Sequence, residues 1–422
     1  MPTDLSQPDP GEGRPPSPTM RSVVVVGAGL AAAQTVAALR AEGFDGCLTV
    51  LGGEGLEPYD RPPLSKELLT RTEPAWLRDE LGTDLHLADD VRLAEPATGL
   101  TLGPHDVEVV TSTGGVRADA AVLATGSTAV RPPGWQGALT LHTAADAHLL
   151  RTALTPGARL VVIGAGWIGA EVAGVAAAAG VEVTVVEAAS APLATALGAD
   201  VGALTVPWYA AAGVRLVTGA RVVRVGPGAV ELADGEVLGA DVVLAAVGAR
   251  PASGWWGEAL PVSADGSLAV DEQYRVIGAP GRVVAVGDLA RRRSPRHGWV
   301  AGGHWDGALR GPATAVRGLL GHPARGPADD PAPYVFSTQL GHELAGYGVP
   351  GPLDDVVLRG DPATSGGVLW FTAGTEELRA VLVVDRPRDV AAARRLFSGA
   401  SLPHLDRAVA ADPDRSLRDA AR

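Results

Sequence analysis

The chain has 422 residues, 46% of them hydrophobic, which is too long for one typical domain and ample for two or three buried cores, so disordered and fibrous classes are excluded. Its 48 acidic residues outnumber 35 basic ones and give a formal charge of −13, which excludes general binding to nucleic acid or to an anionic membrane surface. The single cysteine, Cys47, excludes an internal disulfide framework, a four-cysteine metal site and a CxxC redox pair, and it fits a reducing, cytoplasmic setting.

Residues 1–19 are rich in proline and acid, lack the charged-then-apolar layout of a secretory signal, and are expected to form a disordered tail; Met20, just before the first strand, is an alternative start. No run approaches the ~18 apolar residues of a membrane helix. Ser22–Val26 is too apolar to alternate, as in a strand buried on both faces of a parallel sheet. Gly27, Ala28, Gly29, Leu30, Ala31 and Ala32 follow at once, then an alanine-rich helix to about Ala41. The same strand, glycine turn and helix recur at Arg159–Ile163, then Gly164, Ala165, Gly166, Trp167, Ile168 and Gly169, then a helix to about Ala179. The copies lie further apart than one βαβ unit extends, so they predict two domains. Strands are expected at Val107–Thr111, 120–124, 181–186 and 240–246, with breaks at 132–134 and at 248–251. Another at 282–286 ends in Gly287-Asp288, and 322–333 reads as a linker. Beyond Tyr334, strands at 367–373 and Leu378–Val384 and a helix at 390–397 predict a third domain. The fold class is therefore α/β, with two Rossmann-like dinucleotide-binding domains and an α+β C-terminal domain.

In a GxGxxG turn the first glycine makes the tight bend, the second lets backbone approach a pyrophosphate, and the third lets helix pack on strand; the helix N-terminus then supplies N–H groups and partial positive charge. In the first copy Ala32 replaces the third glycine. An acid about 20 residues on should accept hydrogen bonds from an adenosine ribose. Glu187, at the end of strand 181–186, meets this in the second copy, and with no arginine soon after it NADH should be preferred to NADPH; the plainer alternative is a residue that opens a solvated loop. In the first copy strand 48–51 is followed by Gly52, Gly53 and Glu54, so the acid arrives slightly late.

The stretch Glu57-Pro58-Tyr59-Asp60-Arg61-Pro62-Pro63-Leu64-Ser65-Lys66-Glu67-Leu68-Leu69 resembles a signature of FAD-dependent ferredoxin reductases related to putidaredoxin reductase, a group that includes rubredoxin reductases, dioxygenase reductase components and apoptosis-inducing factor. The resemblance extends through Ala124-Thr125-Gly126, residues 164–171, 285–288, His304-Trp305 and 333–339. It implies an FAD-binding domain at 20–127 and 256–330, an NAD-binding domain at 128–255 and a third domain at 331–422. It implies an NADH-dependent reductase that passes electrons through FAD to a small iron–sulfur ferredoxin serving an oxygenase, as monomer or homodimer. Ala31 and its neighbours would meet the FAD pyrophosphate, Asp288 the ribityl chain and Trp305 the flavin ring. Lys66 would sit beside the isoalloxazine, paired with Glu171, which would help to place the nicotinamide. Arg61, Val91, His142, Gly248 and His304 complete the implied cofactor contacts. Two alternatives remain: an NADH oxidase or quinone reductase with a diffusible acceptor, and a redox-responsive FAD- and NADH-binding interaction protein.

All basic residues except Lys66 are arginine, a skew that fits GC-rich codon usage but leaves Lys66 conspicuous, because a compact ammonium and a planar guanidinium are not interchangeable. Lys66 and Glu171 otherwise read as ordinary solvated helix residues. Several positions depart from the family pattern: Gly53 stands where the ribose-binding acid is expected, His142 replaces an arginine, and residues 303–308 and 334–339 have lost polar groups. Cys47 is expected to be a small buried apolar residue, which disfavours thiol chemistry. Arg291, Arg292, Arg293 and Arg296, close after Asp288, are either a docking patch for an acidic ferredoxin or a solvated loop.

Overall fold

The computed structural model describes residues 20–351, 353–374 and 376–421; the tail expected at 1–19 lies outside the described residues. Ser22–Val26, buried at four of five positions, is the middle strand of a parallel sheet ordered Val283–Ala285, Ala120–Leu123, Ser22–Val26, Cys47–Leu51, Asp90–Arg92. Burial on both faces explains why its sequence is a continuous apolar run. Val283–Ala285 joins from far along the chain, so this first α/β unit is assembled from two separated stretches. A second parallel sheet is ordered Arg215–Val217, Glu182–Val186, Arg159–Ile163, Val242–Ala245. The units are joined by Ser127–Ala129 and Ala249–Pro251, which pair antiparallel with Ser127 opposite Pro251. The chain thus enters and leaves the second unit side by side.

The third unit is an antiparallel sheet ordered Tyr334–Gln339, His342–Gly348, Leu378–Val384, Gly366–Thr372, Asp355–Asp361. Its period of two sorts side chains to two cores: Leu369 and Phe371 pack with Val172, Ala173 and Ala176 of the helix Trp167–Ala178, while Val368 and Trp370 pack with Ala393, Phe397 and Leu405. The turn joining the first two strands places Leu340 (φ 53°) and Gly341 (φ 86°) in the left-handed region, a two-residue hairpin geometry. The strain at Leu340 is offset by burying its side chain in the core shared with that helix. The helix admits the turn because residue 174 is glycine: a Cβ there would stand 2.7 Å from the Leu340 backbone nitrogen.

Cys47 does open the second strand, but it is exposed rather than buried. It is the first residue of its strand, two residues before the pairing with Asp90–Arg92 begins, so one side of it is left open. Among the described residues no helix is long and apolar enough to cross a membrane.

Gly174→Ala should destabilise the chain by roughly 1–3 kcal/mol, because the obstacle is backbone and cannot rotate away. Chemical denaturation checks this, and an unchanged midpoint would contradict the close contact.

Candidate functional site

Both glycine turns lie at the carboxyl ends of their parallel strands, where open α/β sheets bind ligands. Gly27 (φ 119°) and Gly164 (φ 105°) lie tight against neighbouring strand ends: an added Cβ would come within 2.1 Å of the Ala124 carbonyl oxygen and 2.5 Å of that of Ala246. Gly29 and Gly166, by contrast, would meet nothing within 4 Å. They cap the helices Leu30–Ala41 and Trp167–Ala178, neither of which has a side-chain cap or an acidic residue in its first turn. Each loop therefore offers open space in front of uncapped N–H groups, a fit for a pyrophosphate. Ala32 is fully buried, so the first loop accommodates a methyl group, whereas Gly169 cannot, since its Cβ would lie 2.0 Å from the Gly164 oxygen.

Glu187 leans back over the second turn. Its carboxylate accepts hydrogen bonds from the backbone N–H of Ala165 at 2.7 Å and of Ala189 at 2.7 Å. Trp167 and Ile168 open the helix there, Ile168 exposed. In the first unit, one Glu54 oxygen accepts from the Tyr59 hydroxyl and the other from Arg61 at 3.1 Å. Arg61 also bonds the His142 carbonyl, and the Tyr59 hydroxyl accepts from the Ala144 N–H at 2.9 Å. Through Tyr59 and Arg61, Glu54 thus braces the first unit against the start of the helix Ala144–Ala153.

The two units meet at Lys66 and Glu171. Lys66 ends the short helix Pro63–Lys66 and Glu171 lies in Trp167–Ala178, buried to 3% exposure. Lys66 Nζ stands 2.7 Å from Glu171 Oε1, and Ser337 Oγ donates to the same oxygen at 2.6 Å. Ser65 donates to Oε2. The ammonium also lies 5.0 Å from the Phe336 ring centroid. Phe336 meets Trp305 edge to face at 5.8 Å, and Trp305 Nε1 donates to Asp60 Oδ1 at 2.6 Å. Burial holds the Asp60 carboxyl above the usual range, with the indole bond opposing.

Asp288 follows the strand Val283–Ala285 and accepts from Ser127 Oγ at 2.8 Å. Gly287 (φ 69°) presses on the first turn, since a Cβ there would lie 3.2 Å from that of Ala31. Burial lowers the pKa of His304, the N-cap of the helix Trp305–Leu319, and of His142, the latter also through Arg61; Asp288 opposes both shifts. Thr125 Oγ1 bonds the Ala252 carbonyl at 2.9 Å, and Gly126 (φ 68°) and Gly248 (φ 104°) turn the chain into and out of the crossing strands. Val91 is not drawn in with Asp288. It pairs with Val50 in Asp90–Arg92, the edge strand opposite Val283–Ala285.

The arginine run is not a free cationic face. Arg292 and Arg296, with side chains 5% and 6% exposed, both engage Asp330, and Arg296 also bonds the carbonyls of Phe397 and Gly399. Arg293 pairs with Glu272, and Arg291 lies over the Trp299 ring. Arg296 instead fastens the first unit to the third, while the other three find their partners within the first unit. Sequence reasoning assigned no role to Ser65, Asp60, Tyr59, Phe336 or Ser337; the first three lay within the recognised signature, but nothing local marked Ser337 as a partner of Glu171. Among the described residues no group of three or more histidine, cysteine, aspartate or glutamate side chains could hold a metal ion.

The pyridine nucleotide-disulphide oxidoreductase family matches residues 21–305, and a reductase C-terminal family matches 334–421. The anthranilate 1,2-dioxygenase system ferredoxin–NAD(+) reductase component of Burkholderia cepacia is 33% identical over 94% of this chain and 98% of its own length. The benzene 1,2-dioxygenase system ferredoxin–NAD(+) reductase subunit of Pseudomonas putida is 32% identical over 95% of this chain and 97% of its own. Among solved structures, the covalent putidaredoxin reductase–putidaredoxin complex contains a chain of 28% identity and TM-score 0.86, covering 94% of this chain and 97% of that one.

Two of the three glycines of the second loop should fail differently. Gly166→Val, at an extended backbone position facing open space, should change stability by less than about 1 kcal/mol yet abolish pyridine nucleotide binding by calorimetry. Gly169→Ala should instead lower stability itself by roughly 1–3 kcal/mol.

Proposed function

This chain belongs to the pyridine nucleotide-disulphide oxidoreductase family, and on that premise we propose that it is an NADH-dependent reductase passing electrons through bound FAD to a ferredoxin-type iron–sulfur protein that supplies an oxygenase. The observation that carries the proposal is the Lys66–Glu171 pair, which joins the two glycine-loop units at the place where two dinucleotides would bring their redox rings together. FAD is assigned to residues 20–127 with 256–330, NADH to 128–255, and the third domain to 331–422.

In the first unit, the N-terminus of Leu30–Ala41 would hold the FAD pyrophosphate, with Ala31 and Gly29 against it and Asp288 accepting from the ribityl chain. In the second, Trp167–Ala178 would hold the NADH pyrophosphate. Glu187 has lone pairs left for both ribose hydroxyls, and its charge repels a 2′-phosphate, which supports NADH over NADPH. When bound, FAD accepts two electrons with a hydride and releases them singly, a conversion that nicotinamide does not perform readily. The chain supplies orientation and charge. Lys66 brings an ammonium to a centre rich in acid, Glu171 fixes its place, and Asp60 fixes the Trp305 indole.

Thiol chemistry gains no support. Cys47 stands at the beginning of its strand, whereas the glycine turns sit at the strand ends. The names of the relatives support a ferredoxin acceptor, and the single-cysteine composition supports a cytoplasmic setting.

The purified protein should be yellow, or become so with FAD, and anaerobic NADH should bleach it. A colourless protein that cannot be reconstituted overturns the proposal, and a yellow one that NADH leaves unbleached removes the reductase part. Lys66→Ala should slow flavin reduction about tenfold or more while FAD stays bound, as stopped-flow absorbance would report.

A further inference from the structure

Ser337 and Gln339 share one face of Tyr334–Gln339, the first strand of the C-terminal sheet, and each is 2% exposed. Buried polar groups in a largely apolar contact cost free energy unless they are hydrogen-bonded. Gln339 Nε2 donates to Ser337 Oγ at 3.2 Å. The serine oxygen is therefore an acceptor there, and its own proton is directed to Glu171 Oε1 at 2.6 Å. That oxygen also receives Lys66 Nζ. With Ser65 on Oε2, the carboxylate is gripped at both ends.

The grip decides where the Lys66 charge resides. A lysine side chain is long, flexible and entropically costly to fix. Its ammonium has a second attraction in the Phe336 ring, 5.0 Å away. Without the Ser337 hydroxyl, Glu171 can turn about its side-chain bonds, and the ammonium is shared among the carboxylate, the ring and water.

We propose that Ser337, oriented by Gln339, is a positioning residue for the reductase reaction: it anchors Glu171 so that Lys66 presents its charge to the flavin from one fixed place. The C-terminal domain then contributes to the redox centre itself. This rests on the roles assigned above to Lys66 and Glu171.

The test uses the full FAD-loaded chain and two measurements, the midpoint potential of the bound flavin by anaerobic dye equilibration and single-turnover reduction by NADH. Ser337→Ala should move the potential in the same direction as Lys66→Ala, by a smaller amount, and slow reduction about three- to tenfold. Ser337→Thr, which keeps the hydroxyl, should restore both, and Gln339→Leu, which frees the hydroxyl to rotate, should shift both part-way. In a Lys66→Ala background, Ser337→Ala should add nothing. The inference is overturned if Ser337→Ala leaves both measurements at wild-type values, or if its effect persists undiminished without Lys66. Should Ser337→Ala fail to fold, Gln339→Leu with and without Lys66 carries the same comparison. If Lys66→Ala alone moves neither measurement, the role of Lys66 falls first; if it moves both and Ser337→Ala moves neither, only the role of Ser337 falls.

Discussion

A carboxylate with 3% exposure is tolerable only when its charge is paired and its lone pairs are occupied, and Glu171 meets that condition with donors from two distant parts of the chain. Ser65 and Lys66 come from the first α/β unit, Ser337 from the C-terminal sheet, and Glu171 from the second unit. Removing one partner of such a buried pair typically costs about 3–5 kcal/mol, because it strands the other charge. The three units are therefore held in one arrangement by a single buried carboxylate. Gly174 belongs to the same device: it lies three residues on from Glu171, on the same side of the helix, and admits the turn that carries the serine strand inward.

The glycine loops were legible because their geometry is local. Strand, tight turn and helix are adjacent in sequence, and the second glycine of each reads as open space both in the pattern and in the fold. Lys66 and Glu171 were legible through the family signature and through the rarity of lysine. The rest of their network was not, because Ser65 and Ser337 stand 106 and 166 residues from Glu171, and no spacing rule reaches that far. The arginine run was open to two readings for a related reason. Its composition gives charge, but its neutralisation depends on Asp330, 34 residues beyond Arg296, folding back onto it. Glu54 was read from its place after a strand, while Tyr59 and Arg61, five and seven residues on, decide where its carboxylate points.

The electrostatics of the centre give the lone lysine its weight. Glu171 pairs with it and Asp60 lies within reach of its charge, while burial disfavours charge on His142 and His304. Arg61 is committed to Glu54 and to the His142 carbonyl. That leaves the Lys66 ammonium, fixed by Glu171 and lying over the Phe336 ring, as the cation whose place is set by contacts from all three units.

The antiparallel pair Ser127–Ala129 and Ala249–Pro251 has a wider meaning. A segment whose two ends lie side by side can be added to a host, or exchanged, without distorting the host sheet. The first unit closes its own parallel sheet across that gap with Val283–Ala285, so that sheet takes no strand from the segment between. The molecule can thus be seen as one nucleotide-binding fold that carries a second, similar one as a cassette. Changes within the cassette can then alter what it binds while the strand order of the host sheet stays as it is.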